Sequence, residues 1–129
     1  MQGDTDILIA SADTALATAM ELVLTHDAQQ VARVSSGPQA LSHVKALQPK
    51  LVILDTNLPD MSGFEVCQRL RLDPSSEQLP IVMISHDDTQ VALRKLRALG
   101  ASAVASPPLT AQDILGFKTL FTTEAYDET

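Results

Sequence analysis

The sequence predicts an α/β protein in which helices cover both faces of a doubly wound, five-stranded parallel sheet. Two observations carry this prediction. Short apolar segments alternate with amphipathic segments five times along the 129 residues, which is typical of repeated strand–helix units. The clearest apolar segments, 51–54 and 81–84, are continuously apolar, as in strands buried on both faces. Because the length suits one domain, we predict a single domain over residues 1–129.

Each predicted strand is a short apolar segment bounded by polar or turn-forming residues. The second strand has the weakest pattern, since it alternates Val31 and Val34 with polar neighbours. The strands are predicted at 7–10, 30–34, 51–54, 81–84 and 102–105.

Capping residues and helix breakers locate the predicted helices. Asp13 is interpreted as the N-cap of the first helix, and Asp87 or Asp88 as the N-cap of the fourth. Pro49 stops the second helix, and Gly100 ends the fourth as its C-cap. The helices are predicted at 14–25, from 36–38 to the residue before Pro49, at 64–72, from 87 or 88 to 99, and from about 110 onwards.

Apolar residues on the helices identify the sides that pack on the sheet. On the third helix, Phe64, Cys67 and Leu70 are predicted to face inward, with Val66 as a further candidate. We expect an ordered core over about residues 6–122, followed by a tail or the start of a linker at 123–129. The apolar side of the last helix is predicted at Leu109, Ile114, Phe117, Leu120 and Phe121.

The composition excludes several classes of protein. The single cysteine, Cys67, cannot form an intrachain disulfide or a cysteine-rich zinc site. No apolar run approaches the roughly 20 residues that a membrane span needs, and the first residues have no signal region, so we expect a cytoplasmic protein without membrane contact. With 9 basic residues, 16 acidic residues and no Trp, direct binding of nucleic acid is not expected.

The predicted fold points to one site residue. Ligands of doubly wound sheets bind at the carboxyl ends of the strands, where this chain has 11–12, 55, 85 and 106–107. Asp55 directly follows a buried apolar strand, and a carboxylate in that position must be solvated, paired or bound to a metal. Asp55 is therefore the first candidate for a functional residue.

The segment 51–65 carries a specific motif. An apolar strand is followed by Asp55, two further residues, Leu-Pro, one residue, and then Met-Ser-Gly. This motif resembles the phosphorylation-site loop of response regulator receiver domains, with Ser62 where most members have Asp. The resemblance extends over residues 7 to about 121 and is to chemotaxis-type regulators. It implies a flavodoxin-like receiver fold with the strand order 2-1-3-4-5.

The resemblance also implies a role for each matching residue. Asp55 would be the phosphoacceptor, whose carboxylate attacks a phosphoryl group and becomes an aspartyl phosphate. Asp55 and the backbone carbonyl of Asn57 would bind Mg²⁺, and the Ser85 hydroxyl would donate to a phosphoryl oxygen. Pro108 matches the proline after the fifth strand, which favours a cis peptide bond before it.

Several positions depart from the family pattern. Ser11 and Ala12 stand where the family has an acidic pair for Mg²⁺, and Asp13 comes one position too late for that pair. Pro107 replaces the Lys that contacts the phosphoryl group, and Val104 replaces the aromatic switch residue. Mg²⁺ needs carboxylate ligands, and phosphoryl transfer needs neutralising charge. We therefore expect at most a weak Mg²⁺ site and no other cofactor.

Two functions follow from the resemblance. The first is a receiver-type signalling domain of a two-component phosphorelay, with a histidine kinase as its partner and an output partner on the face of the fourth helix, fifth strand and fifth helix. The alternative is a phosphorylation-independent pseudo-receiver that binds a partner through the same face. Neither is an enzyme beyond self-phosphorylation of Asp55 from a phosphodonor. A homodimer is a further option.

Plainer interpretations stay open for several residues. The Ser85 hydroxyl is equally well explained as a strand-end group satisfied by its own loop. His86 is interpreted as a solvated loop histidine, with a partial positive charge at the pocket as the alternative. Arg94, Lys95 and Arg97 are interpreted as a solvated helix face, with a docking patch as the alternative. A hydrolase working through an aspartyl phosphate is disfavoured because the second Asp and the Lys of such enzymes are missing. A flavin site is disfavoured by the scarcity of aromatic residues.

Overall fold

The computed structural model describes residues 5–27 and 29–120. Strands and helices alternate along the chain. The strands are β1 (Ile7–Ala10), β2 (Val31–Val34), β3 (Leu51–Asp55), β4 (Ile81–Ile84) and β5 (Ala103–Ala105). The helices are α1 (Thr14–His26), α2 (Gly37–Leu47), α3 (Gly63–Leu72), α4 (Gln90–Leu99) and α5 (Ala111–Phe117). The predicted tail at 123–129 and the predicted apolar residue Phe121 lie outside the described residues.

The strands form one parallel sheet in the order β2-β1-β3-β4-β5. The predicted α/β fold and the 2-1-3-4-5 order are therefore confirmed. Asp55 belongs to β3 rather than to the following loop, because it pairs with Ile84 and the amide of Thr56 continues the ladder to the Ile84 carbonyl. The central position of β3 places Asp55 in the middle of the carboxyl edge of the sheet.

Alternate side chains of the central strands enter two apolar cores, one on each face of the sheet. Leu8 and Val52 pack in the core covered by α2, α3 and α4. Ile9 and Ile53 pack in the core covered by α1 and α5. All four side chains are fully buried, which explains why the strands are apolar at every position. In the central strands β1, β3 and β4, the one polar residue is therefore Asp55 at the carboxyl end of β3.

The start of α4 differs from the prediction that Asp87 or Asp88 caps it. Thr89 is the N-cap, and its hydroxyl accepts a hydrogen bond from the amide of Ala92 at 3.2 Å. The Asp87 carboxylate instead accepts from the amide of Thr89 at 3.0 Å, so it orders the turn before the helix. The predicted C-cap is confirmed: Gly100 ends α4 with a φ of 124°, a conformation that favours glycine.

The prediction that Phe64 faces the core is wrong, since its side chain is 47% exposed. The buried positions of α3 are Gly63, Val66, Cys67 and Leu70, which follow the helical spacing of three and four residues. Phe64 lies outside that stripe. Cys67 is fully buried, and burial raises the pKa of its thiol, which supports the predicted packing role.

The last helix packs as its sequence predicts. Ile114 and Phe117 are buried against α1 and the sheet, and Leu109 and Leu120 pack at the margin of the same core. Within residues 5–27 and 29–120, no helix has the length and apolar character that crossing a membrane requires.

Candidate functional site

The Asp55 carboxylate is almost completely covered, with 2% of the residue exposed. Its Oδ2 accepts a hydrogen bond from the Ser11 hydroxyl at 3.0 Å, and its Oδ1 accepts one from the backbone amide of Asn57 at 3.0 Å. A buried carboxylate is tolerated only when donors replace the water it has lost. The two hydrogen bonds therefore both satisfy this group and fix its orientation.

Ser11 lies at the end of β1 and links two elements of the site. Its hydroxyl donates to Asp55 and accepts from the amide of Asp13 at 3.1 Å. The Asp13 carboxylate caps α1 by accepting from the amide of Leu16 at 3.0 Å, which confirms its interpretation as a helix cap. A neutral hydrogen-bond donor thus occupies a position where the family pattern has a metal-binding acid.

His86 also contacts the phosphoacceptor candidate. Its Nε2 atom lies 3.4 Å from Asp55 Oδ1, while 40% of its side chain remains exposed. The histidine is therefore exposed as the preferred interpretation predicts, while its contact with Asp55 fits the alternative in which it serves the pocket. Among the Lys, Arg and His side chains of the described residues, His86 is the one with a nitrogen atom within 4.0 Å of the Asp55 carboxylate.

The hydroxyl of Ser85 is used within its own loop. It donates to the Asp87 carbonyl at 2.7 Å and accepts from the Asp87 amide at 3.2 Å. The hydrogen bond from the backbone amide of Thr89 lowers the pKa of the Asp87 carboxyl. The order that this carboxylate gives to the loop is therefore complete above the ordinary pKa of Asp and is lost as the pH falls through the lowered pKa. The phosphoryl contact of Ser85 stays a prediction, because its hydroxyl donates to the Asp87 carbonyl in this structure.

The loop after β3 lies so close to the strand that only glycine fits at position 63. A Cβ atom on Gly63 would lie 2.2 Å from the carbonyl oxygen of Asp55 and 2.8 Å from Cα of Thr56. On the other side of this loop, a Cβ on Gly37 would lie 2.3 Å from the carbonyl oxygen of Met61. Two close approaches of helix starts therefore hold the loop that follows Asp55.

We expect Gly63→Ala to lower the free energy of unfolding by about 1–3 kcal/mol, the usual range for overpacking, because the added methyl group meets backbone atoms. Urea unfolding followed by circular dichroism measures this loss. Gly116→Ala in α5 is the matched control, since no atom of the described residues outside its neighbours and its own helix backbone lies within 4 Å of a Cβ there. The control is expected to be neutral or to stabilise by up to about 1 kcal/mol. Equal losses in both variants would contradict the close approach.

The residues around Asp55 fit Mg²⁺ poorly. Mg²⁺ favours octahedral oxygen ligands, usually one or two carboxylates together with phosphate oxygens and water. Asp55 is the one carboxylate here, and the described parts of the chain contain no group of three or more His, Cys, Asp or Glu that could hold a metal. Both of its oxygens already accept hydrogen bonds, from Ser11 and from the amide of Asn57. An ion would have to compete with these donors.

The segment after β5 has no basic residue at position 107, where the family pattern has a Lys. Pro107 and Pro108 are joined by a cis peptide bond, as the family resemblance implied. The preceding hydroxyl, Ser106 Oγ, is buried and has no hydrogen-bond partner among the described residues. Val104 is partly buried and packs against the core on the α4 side, so it has a packing role.

An open cleft of about 520 Å³ adjoins the site between α3, α4 and the loop after β4. Asn57 and His86 line the part of it nearest Asp55, and Lys95 adds a positive charge farther along. Its rim includes two exposed apolar side chains, Phe64 and Val91. Asp55 itself does not line this cleft, but two residues that contact its carboxylate, Asn57 and His86, do.

Together these features define a class of protein. A carboxylate stands at the centre of the carboxyl edge of a 2-1-3-4-5 sheet, with Ser85 at the end of the next strand and the cis bond before Pro108 beyond it. This is the arrangement of the receiver domains of two-component signalling.

The chain belongs to the response regulator receiver domain family, whose sequence profile matches residues 7–116. The transcriptional regulatory protein AfsQ1 from Streptomyces coelicolor is 38% identical over 89 residues, covering 67% of this chain and 38% of that protein. This chain thus spans well under half the length of that relative. Asp55 stands at the family's phosphoacceptor position. The pseudo-receiver alternative is not favoured by these comparisons.

Solved structures show the same fold. A protein from Chloroflexus aurantiacus assigned as a response regulator superposes with a TM-score of 0.87 at 28% identity, covering 92% of this chain and 98% of that chain. The receiver domain of a sensor histidine kinase from Pseudomonas aeruginosa gives a TM-score of 0.84 at 17% identity, covering 93% and 98%. The latter has a magnesium ion coordinated in its active site cleft.

Proposed function

We propose that this receiver domain accepts a phosphoryl group on Asp55 from a phosphorylated histidine kinase. The observation that carries the proposal is the fixed orientation of the Asp55 carboxylate between the Ser11 hydroxyl and the Asn57 amide, beside an open cleft. A carboxylate held in one orientation is a positioned nucleophile, and positioning supplies a large part of the catalysis of phosphoryl transfer. Self-phosphorylation from a small phosphodonor follows from the same arrangement.

Mg²⁺ has a weak role in this proposal. Asp55 and the backbone carbonyl of Asn57 would hold the ion, which neutralises negative charge when it is bound. Because Ser11 and Ala12 contribute no carboxylate, we expect phosphorylation to be slow and to saturate only at high Mg²⁺ concentration.

The partners are proposed from the family and from the exposed faces. The output partner would bind the face of α4, β5 and α5, where Arg94, Lys95 and Arg97 are exposed on α4. AfsQ1 is named as a transcriptional regulator, but this chain covers only 38% of it, so any contact with DNA would be made by a separate domain. A cytoplasmic location and a homodimer stay predictions.

Incubation with acetyl phosphate over a series of Mg²⁺ concentrations tests the proposal. We expect the intact mass to increase by one phosphoryl group in the wild type and not in Asp55→Asn, which keeps the shape of the side chain and removes the nucleophile. Urea unfolding of both proteins checks that the variant is folded. The proposal is wrong if no adduct that depends on Asp55 forms at any Mg²⁺ concentration.

A further inference from the structure

Transfer of a phosphoryl group to Asp55 requires positive charge or donors in the site. The attacking carboxylate and the incoming phosphoryl group are both anions, so their approach is unfavourable unless nearby groups stabilise the negative charge. The Ser11 hydroxyl and the Asn57 amide satisfy the carboxylate but are neutral. Pro107 carries no charge where the family pattern has Lys. Mg²⁺ would be held weakly, and the Ser85 hydroxyl donates to the Asp87 carbonyl in this structure, so a further donor near Asp55 would contribute to the stabilisation.

The basic residues near this edge of the sheet differ in whether they are already paired and in whether they contact the Asp55 carboxylate. Arg33 lies in a groove beside Ser11, but its guanidinium is paired with Glu21 at 3.0 Å and also donates to Thr18 at 3.2 Å. Lys95 lines the cleft without contacting the carboxylate within 4.0 Å. His86 contacts Asp55 Oδ1 through Nε2 at 3.4 Å and also lines the cleft. Among the basic residues of the described chain, His86 is the one that both contacts the Asp55 carboxylate and lines the cleft beside it.

We propose that His86 is a catalytic residue that donates from Nε2 to a phosphoryl oxygen during transfer to Asp55, and so replaces the missing Lys. The inference rests on the proposed function of Asp55. The donor is the N–H group at Nε2 of His86. This group is present both in the charged imidazole and in the neutral imidazole that carries its hydrogen on Nε2. The side chain is 40% exposed, so the ring can move aside for the phosphoryl group and stay within hydrogen-bonding distance of it.

The chemical step is a simple displacement. An oxygen of the Asp55 carboxylate forms a bond to the phosphorus of acetyl phosphate, the bond from phosphorus to the acetyl oxygen breaks, and acetate leaves with that electron pair. No oxidant is needed, and the charge is redistributed over the phosphoryl oxygens in the transition state. Donation from His86 Nε2 is strongest at that point, and an interaction that strengthens in the transition state raises the rate.

The decisive variant is His86→Ala, measured as the initial rate of Asp55 phosphorylation by acetyl phosphate at fixed Mg²⁺. We expect a rate about tenfold to a hundredfold below wild type, the fold-change that corresponds to losing one hydrogen bond to a charged group. His43→Ala in α2 is the matched control for removing a histidine, and its rate is expected to equal that of the wild type. Urea unfolding is expected to show equal stability for all three proteins.

A second variant tests the replacement of the missing Lys. Pro107→Lys introduced into His86→Ala is expected to restore most of the lost rate, because it returns a cation to the position the family uses. The proposal is overturned if His86→Ala is phosphorylated as fast as or faster than wild type, or if Pro107→Lys restores nothing. A wild type that forms no adduct overturns the proposed function itself, whereas a normal wild type with an unaffected His86→Ala overturns only the role of His86.

Discussion

Restoring the acidic pair with Ser11→Asp and Ala12→Asp is expected to raise the affinity for Mg²⁺ by about a hundredfold or more. Each new carboxylate can add a charged ligand, and an interaction of about 1.5–3 kcal/mol corresponds to about tenfold to a hundredfold in affinity. The new carboxylate at position 11 would lie close to the Asp55 carboxylate, since the Ser11 hydroxyl is already within hydrogen-bonding distance of it. The number of carboxylates governs how strongly such a site holds a divalent cation.

The same double variant is expected to be less stable than wild type when Mg²⁺ is absent. It loses the hydrogen bond from the Ser11 hydroxyl and places like charges beside the covered Asp55 carboxylate. A loss of about 1–3 kcal/mol in the free energy of unfolding is expected for a buried acceptor deprived of its donor. Mg²⁺ should return this stability, because a ligand that binds only the folded state stabilises it.

Calorimetric titration with Mg²⁺ measures the affinity, and thermal unfolding with and without Mg²⁺ measures the stability. Ser11→Asn with Ala12→Asn is the matched control, since it changes the shape of the two side chains in a similar way and adds no charge. The control is expected to bind Mg²⁺ as weakly as the wild type. If both double variants bind Mg²⁺ equally, the missing acids are not the reason for the weak site.

The sequence predicts the fold well because the strands of this chain are simple. Continuous apolar segments such as 51–54 are explained only by burial on both faces, and the structure buries them fully. The same reasoning placed Asp55 at the carboxyl edge, where it is the last residue of the central strand. Caps were harder to predict: the sequence favoured Asp87 or Asp88 at the start of α4, whereas the adjacent Thr89 is the N-cap.

The contacts of the site could not be predicted because they join residues that are distant in the chain. The Ser11 hydroxyl reaches Asp55 across 44 positions, and the sequence suggested only that an acid was missing there. The direction of His86 depends on how its loop leaves β4, which no periodic pattern describes. Polar residues at the carboxyl ends of the paired strands β1 and β3 are the one sequence signal that, in hindsight, favours contact between Ser11 and Asp55.

Arg71 is a structural residue that the sequence did not reveal. At the end of α3 it resembles any basic residue in a last helical turn, yet its guanidinium joins α3, the loop before β4, the end of α4 and the start of β5. It donates from Nε to Gly100 O at 2.9 Å, from Nη1 to Leu79 O at 2.7 Å, Glu77 O at 3.2 Å and Ser76 O at 3.3 Å, and from Nη2 to Ser102 Oγ at 3.4 Å. One side chain therefore satisfies carbonyl groups from two loops.

Arg71→Ala is expected to lower the free energy of unfolding by about 3–5 kcal/mol, because the two shortest contacts alone are charge-assisted hydrogen bonds of about 1.5–3 kcal/mol each. Arg71→Lys is expected to recover only part of this, since an ammonium group cannot reproduce the planar fork of five donors. Arg69→Ala is the matched control on the same helix: Arg69 makes an exposed pair with Glu65, and its loss should cost about 0.3–0.5 kcal/mol. Urea unfolding of the three variants decides the matter, and similar losses for Arg71→Ala and Arg69→Ala would show that the guanidinium does not hold the loops together.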